Sequence, residues 1–499
     1  MKKIKKILIA NRGEIAVRVI RTCKDLGIRT VSVYSEIDQN LPHVRLADEA
    51  YCIGRATPAE SYLNKQKIID IALKAQVDAI HPGYGFLSEN SEFSKMVQDA
   101  GIIFIGPPPE AIEKMGDKIS ARRLVSAASI PVVPGTDAPV MDLNQAIEFG
   151  RKYGYPILLK AAGGGGGKGM RIVKMESELT SALRSAQSEA QTAFGDNRIY
   201  IEKYLENPRH IEFQILCDSY GNGIHLGERE CSIQRRHQKI IEESPSVIMT
   251  PELRDKMGRA AVKAALSANY RNAGTIEFLV DKQSNFYFLE MNTRLQVEHP
   301  VTEMVTQIDI VKEQINIAEG NPLSYSQSQI NFRGHAIECR IYAEDYENNF
   351  LPSIGKIKKL KSAAGAFIRE DRGVDEGNEI SVYYDPMISK LIAWGETRDI
   401  ALKRMQRALE EYKLAGIKTN INACKWILNH KKFVEGDFDT HFIENYYNPE
   451  IIKNKRDEII EAIAIISTIY LNNQKASYDH TIKNKDVSKW KSKKLEYFR

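Results

Sequence analysis

The first hundred residues alternate short apolar runs with stretches of helical spacing. Ile7-Leu8-Ile9-Ala10 is an unbroken apolar run of strand length. Residues 13–26 follow with apolar side chains at Ile15, Val19, Cys23 and Leu26, the spacing of one helix face. Thr30-Val31-Ser32-Val33-Tyr34 reads as a second strand. A further helix near 64–75 leads into Ala79-Ile80 and the turn-rich His81-Pro82-Gly83-Tyr84-Gly85. This βα alternation predicts a doubly wound, largely parallel domain over residues 1–110, closing near Gly106-Pro107-Pro108-Pro109. It contains no GxGxxG, so no dinucleotide site is expected, and Glu36 and Asp38 are read as loop carboxylates.

From about 111 to 325 the pattern carries more chemistry. Ile157-Leu158-Leu159-Lys160 is strand-like, and glycine then runs unbroken from Gly163 to Gly167 into Lys168-Gly169. Glycines in a row pack nothing and cost backbone entropy. A backbone that lies against phosphate oxygens and offers them N–H donors is the expected use. The loop is not a Walker A motif. Ala162 stands where the first glycine belongs, Gly169 replaces the Ser/Thr, and Met170-Arg171-Ile172-Val173 continues as a strand, not a helix. The spacing predicts a hairpin lid over a nucleotide, spanning about 131–205. A flexible linker fits less well, because apolar strands flank the loop on both sides.

Thr275–Asp281 and Phe286–Glu290 read as two strands joined by Lys282-Gln283-Ser284-Asn285. A turn centred on 282–285 pairs Glu277 with Glu290, their Cβ atoms ~5 Å apart. Like charges opposed across a ladder destabilise it, so a neutralising group is expected. Asn292 falls on the same face by strand alternation. Two carboxylates and an amide oxygen suit Mg²⁺ or Mn²⁺, with phosphate oxygens completing the shell. An exposed acidic hairpin is the plainer alternative, and the apolar residues filling both strands argue against it. The same parity continues through Arg294, Gln296 and Glu298, with Met291, Leu295 and Val297 on the other face. It predicts a polar reaction floor that starts at the metal.

A third block, about 330–447, mixes short β-like runs such as Ala336–Ile341 with a closing helix. The expected class is therefore α/β (α+β overall): a doubly wound parallel N-terminal domain, a central domain with a glycine-rich lid, and a mixed β C-terminal domain. Residues 448–499 are expected to form an apolar helix, Ile459 to Tyr470, and a Lys-rich end. Residues 451–499 carry eleven Lys/Arg against six Asp/Glu, which accounts for the whole net charge of +5. The body is balanced, so nucleic acid is not an expected partner. No apolar run approaches the roughly 20 residues that span a bilayer. After the basic Met1–Lys6 only four apolar residues precede Asn11-Arg12, too few for a signal-peptide core. Six scattered cysteines without a CxxC pair predict reduced thiols, and ten histidines include no HExxH. A cytoplasmic location is the expectation.

Gln234-Arg235-Arg236-His237-Gln238-Lys239 is the densest cationic segment of the body. Beside a nucleotide it would supply counter-charge to a transferring phosphoryl group and an anionic acceptor. With it a family resemblance is complete. Ala10–Ala16 (ANRGEIA), His81–Asn90 (HPGYGFLSEN), the Gly163–Gly169 loop, Glu230–Lys239 (ECSIQRRHQK) and Glu290–Pro300 (EMNTRLQVEHP) all resemble biotin carboxylases of the ATP-grasp superfamily. So do Glu338-Cys339-Arg340-Ile341 and Tyr384-Asp385-Pro386-Met387. The resemblance runs in order over about residues 1–447.

The resemblance implies ATP, bicarbonate and biotin chemistry, and it implies roles. Lys118, Lys160, Gly165, Gly166, Gly167, His210, Gln234 and His237 would hold ATP, with Glu202, Lys203, Tyr204 and Leu205 as the hinge around adenine. Glu277, Glu290 and Asn292 would bind the metals, two ions of Mg²⁺ or Mn²⁺. Lys239, Arg294, Gln296 and Val297 would bind bicarbonate, and Glu298 would deprotonate it. Arg340 would seat biotin and carboxyphosphate, and Arg294 would steady the biotin enolate. No Met-Lys-Met occurs, so the biotinylated lysine is expected on a separate carrier protein. A carboxyltransferase is expected as a further partner, and a homodimer as the assembly. The tail resembles the extension on the biotin carboxylase component of two-subunit pyruvate carboxylases. Acetyl-CoA carboxylase subunits, which tend to end near position 447, are the alternative. Another ATP-grasp ligase and a scaffold without turnover are the remaining rivals. Arg294, Glu298 and Arg340 speak against the first, and the complete set of metal ligands and base speaks against the second.

Overall fold

The computed structural model describes residues 3–136, 138–140, 142–161, 170–450, 463 and 465–468. The chain divides into two units, residues 1–447 and 448–499. Of the expected tail helix only Ile463 and Ile465–Thr468 are described, and they are helical and exposed. Apart from residues 448–450, the rest of the tail lies outside the described residues, as does the glycine loop with Gly165, Gly166 and Gly167.

The N-terminal layer is a parallel sheet of β1 (Lys6–Ile9), β2 (Arg29–Ser35), β3 (Glu49–Gly54), β4 (Ala79–His81) and β5 (Ile103–Phe104), in the order β3-β2-β1-β4-β5. The helix Gly13–Asp25 buries Ile15, Val19 and Cys23 of its predicted face, together with Ala16 and Ile20, while Leu26 is the exposed C-cap residue. Asp38, expected as a loop carboxylate, ends the short 3₁₀ helix Glu36–Asp38. It is buried and ion-paired to Arg12, at 2.6 Å from Nε and 2.8 Å from Nη2, and it accepts from the Tyr62 hydroxyl. A carboxylate can be buried when a fork of guanidinium donors satisfies it.

The next layer is small: β6 (Ile157–Ala161), β7 (Met170–Val173) and β8 (Ile199–Lys203), in the order β7-β6-β8. Helices Leu143–Tyr153 and Leu179–Phe194 accompany it, and Ile157, Leu159, Val173, Ile199 and Ile201 pack with them into a separate core. Having its own core, this layer can move as a unit.

The largest sheet has eight strands: β9 (Arg209–Cys217), β10 (Gly223–Arg235), β11 (Gln238–Ser244), β12 (Asn272–Val280), β13 (Phe286–Asn292), β14 (His335–Tyr342), β15 (Ile368–Arg372) and β16 (Met387–Gly395). Their order is β13-β12-β9-β10-β11-β14-β16-β15. The third block thus continues the sheet of the middle block through the β11–β14 pair. Ile224-His225-Leu226 is part of the thirteen-residue β10, which runs on into the cationic segment. Alternation decides the faces. Ile211, Phe213, Ile215, Ile276, Phe278, Phe286, Phe288 and Met291 point into one apolar core. His210, Glu212, Gln214 and Glu277, at the intervening positions, point the other way.

Two details of β12–β13 depart from expectation. A turn centred on 282–285 would pair Phe278 with Leu289; the observed pairs are Phe278 with Phe288 and Val280 with Phe286, closed by Asp281 N–H to the Asn285 carbonyl at 2.9 Å. A one-residue bulge at Leu289 then restores the expected pair of Glu277 with Glu290. The strand also ends at Asn292, so the parity expected through Glu298 does not hold. Residues 293–298 form bends and turns, and Glu298 is the N-cap position of the helix His299–Thr306, with Pro300 in its first turn.

Candidate active site

Four charged side chains form one row across the sheet. Glu290 pairs with Glu277, Glu277 with Glu212, and Glu212 with Arg229, across β13, β12, β9 and β10. Glu277, Glu212 and Arg229 are buried. Three carboxylates in a row cannot stay ionised in a dry interior without cations. Arg229 supplies one: its Nε donates to Glu212 Oε1 at 2.5 Å, and Nη1 and Nη2 reach Gln214, Thr302 and Thr275 at 2.9–3.0 Å. Lys239 supplies the second. From β11 its Nζ donates to Glu212 Oε2 at 2.5 Å, Glu277 Oε1 at 2.9 Å and Glu298 Oε1 at 2.7 Å. Burial disfavours the ammonium, but these carboxylates outweigh it and hold the Lys239 pKa well above the ordinary lysine value.

Glu298 sits at the centre of a second set of contacts. It is fully buried, with Lys239 on Oε1 and Arg340 Nη2 on Oε2 at 2.9 Å. Burial works against its charge, yet Lys239, Arg340 and Arg229 hold its carboxyl well below the usual carboxylate range. It is therefore ionised at neutral pH, the form that accepts a proton. Arg340 is itself aimed by Glu242, which accepts from its Nε at 2.5 Å.

Glu277 and Glu290 differ in their surroundings. Burial opposes the charge of Glu277, but Lys239 and His210 keep its pKa low; His210 Nε2 lies 3.0 Å from Oε2. Asn292 Nδ2 and Gln296 Nε2 also donate to Glu277 Oε1, at 2.8 and 3.0 Å. Among the described residues Lys118, at 3.8 Å, is the cation ion-paired to Glu290, and burial together with Glu277 pushes the Glu290 pKa up. That shortage of positive charge, on hard oxygen donors open to one side, fits a divalent cation. Among the described residues His210, Glu212 and Glu277 also offer ligand atoms within 4.8 Å of one another.

The turn after Asn292 brings the remaining polar groups in by its own hydrogen bonds. Arg294 Nη2 donates to Asn292 Oδ1 at 2.9 Å, Nη1 to Gln296 Oε1 at 2.5 Å, and Nε to Glu89 Oε2 at 3.0 Å. Glu89 belongs to the N-terminal layer and also accepts from Thr293 N–H at 3.0 Å. The Val297 carbonyl accepts from Lys390 Nζ at 2.7 Å, so its backbone rather than its side chain is the polar contact.

The residues expected around ATP come from both the lid and the large sheet. Lys160 is ion-paired to Glu202. Glu202 and Lys203 end β8, and Tyr204-Leu205 continue toward β9, so residues 202–205 connect the small layer to the large sheet. Lys203 Nζ donates to the carbonyls of Gly154 and Tyr155 at 3.0 and 3.1 Å, and the Tyr204 hydroxyl meets His441 Nε2 at 3.1 Å. Gln234 pairs with Lys239 across the β10–β11 hairpin, whose tip is Arg236-His237. Burial first, then the neighbouring His210 and Lys118, lowers the His237 pKa, which puts these three side chains in one electrostatic neighbourhood.

Glu212, Arg229, Glu89 and Glu242 are additions to the expected set. Glu212 was detectable: His210, Glu212 and Gln214 alternate with Ile211, Phe213 and Ile215 as plainly as any strand in the chain.

Three family models match in series. They are the biotin carboxylase N-terminal domain over residues 3–112, the carbamoyl-phosphate synthase L chain ATP-binding domain over 117–326, and the biotin carboxylase C-terminal domain over 338–445. A pyruvate carboxylase subunit of Methanothermobacter thermautotrophicus is 55% identical over 441 residues, 88% of this chain and 90% of that protein. Biotin carboxylase 1 of Bacillus subtilis is 51% identical over 444 residues, 89% of this chain and 99% of that protein. Among solved structures, the biotin carboxylase domain dimer of Hydrogenobacter thermophilus 2-oxoglutarate carboxylase, in complex with MgADP, ADP and bicarbonate, superposes with a TM-score of 0.83. It is 50% identical, covering 90% of this chain and 100% of that one. On these matches and this fold, the chain belongs to the biotin carboxylase family of ATP-dependent ligases.

Proposed function

We propose that this biotin carboxylase uses ATP and bicarbonate to carboxylate biotin held on a carrier protein. The observation that carries the reading is the buried Glu298 clamped between Lys239 and Arg340, one contact away from the Glu277–Glu290 pair. A proton acceptor, two cations for an anionic substrate and a divalent-cation site are then within one hydrogen-bonded cluster.

The steps follow from those groups. Bicarbonate binds against Lys239, Arg294 and Gln296, and Glu298 takes its proton. The freed oxygen attacks the γ-phosphorus of ATP, ADP leaves, and carboxyphosphate forms. Carboxyphosphate breaks into CO₂ and phosphate, phosphate takes the N1′ proton of biotin, and the ureido nitrogen bonds CO₂. Arg340 seats biotin and carboxyphosphate, and Arg294 steadies the enolate. Glu277, Glu290 and Asn292 would hold Mg²⁺ or Mn²⁺, which when bound supplies positive charge to the phosphates. Lys118, Lys160, His210, Gln234, His237 and the glycine loop hold ATP, and the 131–205 layer closes because carboxyphosphate is lost to water. The functional domains are 1–110, 111–325 and 330–447.

The acceptor of the second half-reaction is pyruvate, on the strength of the likeness to the M. thermautotrophicus protein. Partners are then a biotinylated carrier and a carboxyltransferase, with the chain itself a homodimer in the cytoplasm. Among the described residues no helix is long and apolar enough to cross a membrane. ATP cleavage by the purified chain that requires both bicarbonate and free biotin tests the reaction; cleavage indifferent to biotin overturns it. Identification of the carboxyltransferase that co-purifies decides between pyruvate and an acyl-CoA.

A further inference from the structure

The cluster around Glu298 contains a carboxyl for which the reaction above has no use. Glu338 lies on β14, fully buried and directly opposite Glu242 of β11. The helix His299–Thr306 covers this face, where Val301 and Val305 pack with Ala336 and Ile392. Ala336 is two residues from Glu338 on the same strand, and Ile392 is its partner on β16. The carboxyl is thus walled by apolar side chains. Among the described residues neither Glu338 oxygen has a hydrogen-bond partner, and Glu242 Oε2 has none either.

The charges facing this pair are already engaged. Arg340, on β14, gives Nε to Glu242 Oε1 and Nη2 to Glu298. Lys390, on β16, is held by the Val297 carbonyl at 2.7 Å and by Glu14 Oε1 at 3.0 Å. Glu298 and Lys239 also act electrostatically on the pair, and they are bonded to each other. Two carboxyls with Cβ atoms ~5 Å apart, sharing a single guanidinium contact, cannot both be ionised in such a place. A carboxyl that keeps its proton becomes a donor, and the bare oxygen of its neighbour becomes its acceptor. Burial pushes Glu338 well above the usual carboxylate range, while Arg340 partly offsets burial at Glu242, which rises to about 7.

We propose that Glu338 is a resident carboxylic acid that donates its proton as a hydrogen bond to Glu242 Oε2, fixing the other Glu242 oxygen on Arg340 and so aiming Arg340 at Glu298. Glu338 touches no substrate and is a positioning residue for the carboxylation proposed above, on which this inference rests. The chain Glu338–Glu242–Arg340–Glu298 then holds the biotin-seating guanidinium by a proton that never takes part in the reaction.

Infrared difference spectroscopy of the full chain, in H₂O and D₂O at neutral pH, tests the proton without any turnover assay. The expected result is a neutral carboxylic acid band in the wild type that is lost in Glu338→Gln; a spectrum that Glu338→Gln leaves unchanged overturns the proposal. Kinetics with free biotin test the positioning. Glu338→Gln, whose amide still donates to Glu242, is expected to keep kcat/KM for biotin within about twofold. Glu338→Leu, which offers no donor, is expected to lower it about tenfold or more with KM for ATP unchanged. Equal loss in both variants, or no loss in Glu338→Leu, overturns the positioning role. A wild type without biotin-dependent turnover would sink the functional reading alone, because the infrared result stands independently of it.

Discussion

Glu277 and Glu290 stand directly opposite each other across β12 and β13, and Leu289 is what brings them there. Between the turn and Phe278 the ladder is regular, and continued unchanged it would set Leu289 against Glu277. The bulge adds one residue to β13 and leaves Leu289 36% exposed on the outer side. Phe286, Phe288 and Met291 all still reach the core, at a spacing of two and then three residues. The strand thus keeps its apolar face and re-aims one carboxylate, a use of bulges seen beside functional sites.

That pairing makes the metal dependence testable. Glu290→Gln is expected to raise the half-saturating concentration of Mg²⁺ or Mn²⁺ for ATP cleavage about tenfold or more. Glu277→Gln is expected to be worse, because it also removes a counter-charge from Lys239. Titration of the rate with each cation checks both, and an unchanged metal requirement in Glu290→Gln removes the site.

Glu298 offers a sharper contrast. Its depressed pKa means that the wild-type carboxylate is charged and ready to take a proton at neutral pH. Glu298→Gln keeps the shape and abolishes that capacity. Loss of a general base is worth about 100-fold or more in rate, so biotin-dependent turnover should fall by that factor while KM for ATP stays near the wild-type value. Wild-type turnover in the variant would reassign the base.

How much of this was visible beforehand depended on whether the partners are close in sequence. The parallel first layer and the helix Gly13–Asp25 follow from local periodicity, whereas the Glu277–Glu290 pair, expected from a turn register that the hairpin does not have, is made by the bulge. The bulge at Leu289 is invisible because it is two-for-one pairing, decided by where Phe288 and Met291 find space in the core. Parity failed after Asn292 because Arg294 and Gln296 are gathered by hydrogen bonds of a turn and Glu298 by Lys239 and Arg340, not by a strand. Glu242 and Arg340 lie 98 residues apart, and only the β11–β14 pairing joins them. Lys239 stood out as part of a cationic run, but the three carboxylates it neutralises come from three other segments.

The lid attachment carries its own prediction. Lys160 and Glu202 are ion-paired where the small layer meets the connecting residues 202–205. If Lys160 exchanges this partner for a phosphate when ATP binds, Lys160→Gln should raise KM for ATP about tenfold while KM for bicarbonate hardly moves. A lower melting temperature with an unchanged KM for ATP would instead make the pair a brace of the lid.

Glu243 links the sheet to the third block in a way that pH should reveal. Its Oε2 accepts from His335 Nε2 and from Arg398 Nε, both at 2.7 Å, so one buried carboxylate ties β11, β14 and the helix Arg398–Glu411 together. Burial opposes its charge, but His335 and Arg398 prevail and lower the pKa from 4.5 to about 2. A folded-state pKa below the unfolded one stabilises the fold at every pH above the unfolded value. The contribution is lost as pH falls from about 4.5 toward 2. The shift corresponds to something on the order of 3 kcal/mol. Glu243→Gln lacks this titration, so its melting temperature should lie a few degrees below the wild type's at neutral pH. The gap should close as the solution is acidified through that window, because the wild type alone loses stability there. A gap that stays constant down to the acid end would mean that Glu243 contributes through packing and not through its charge.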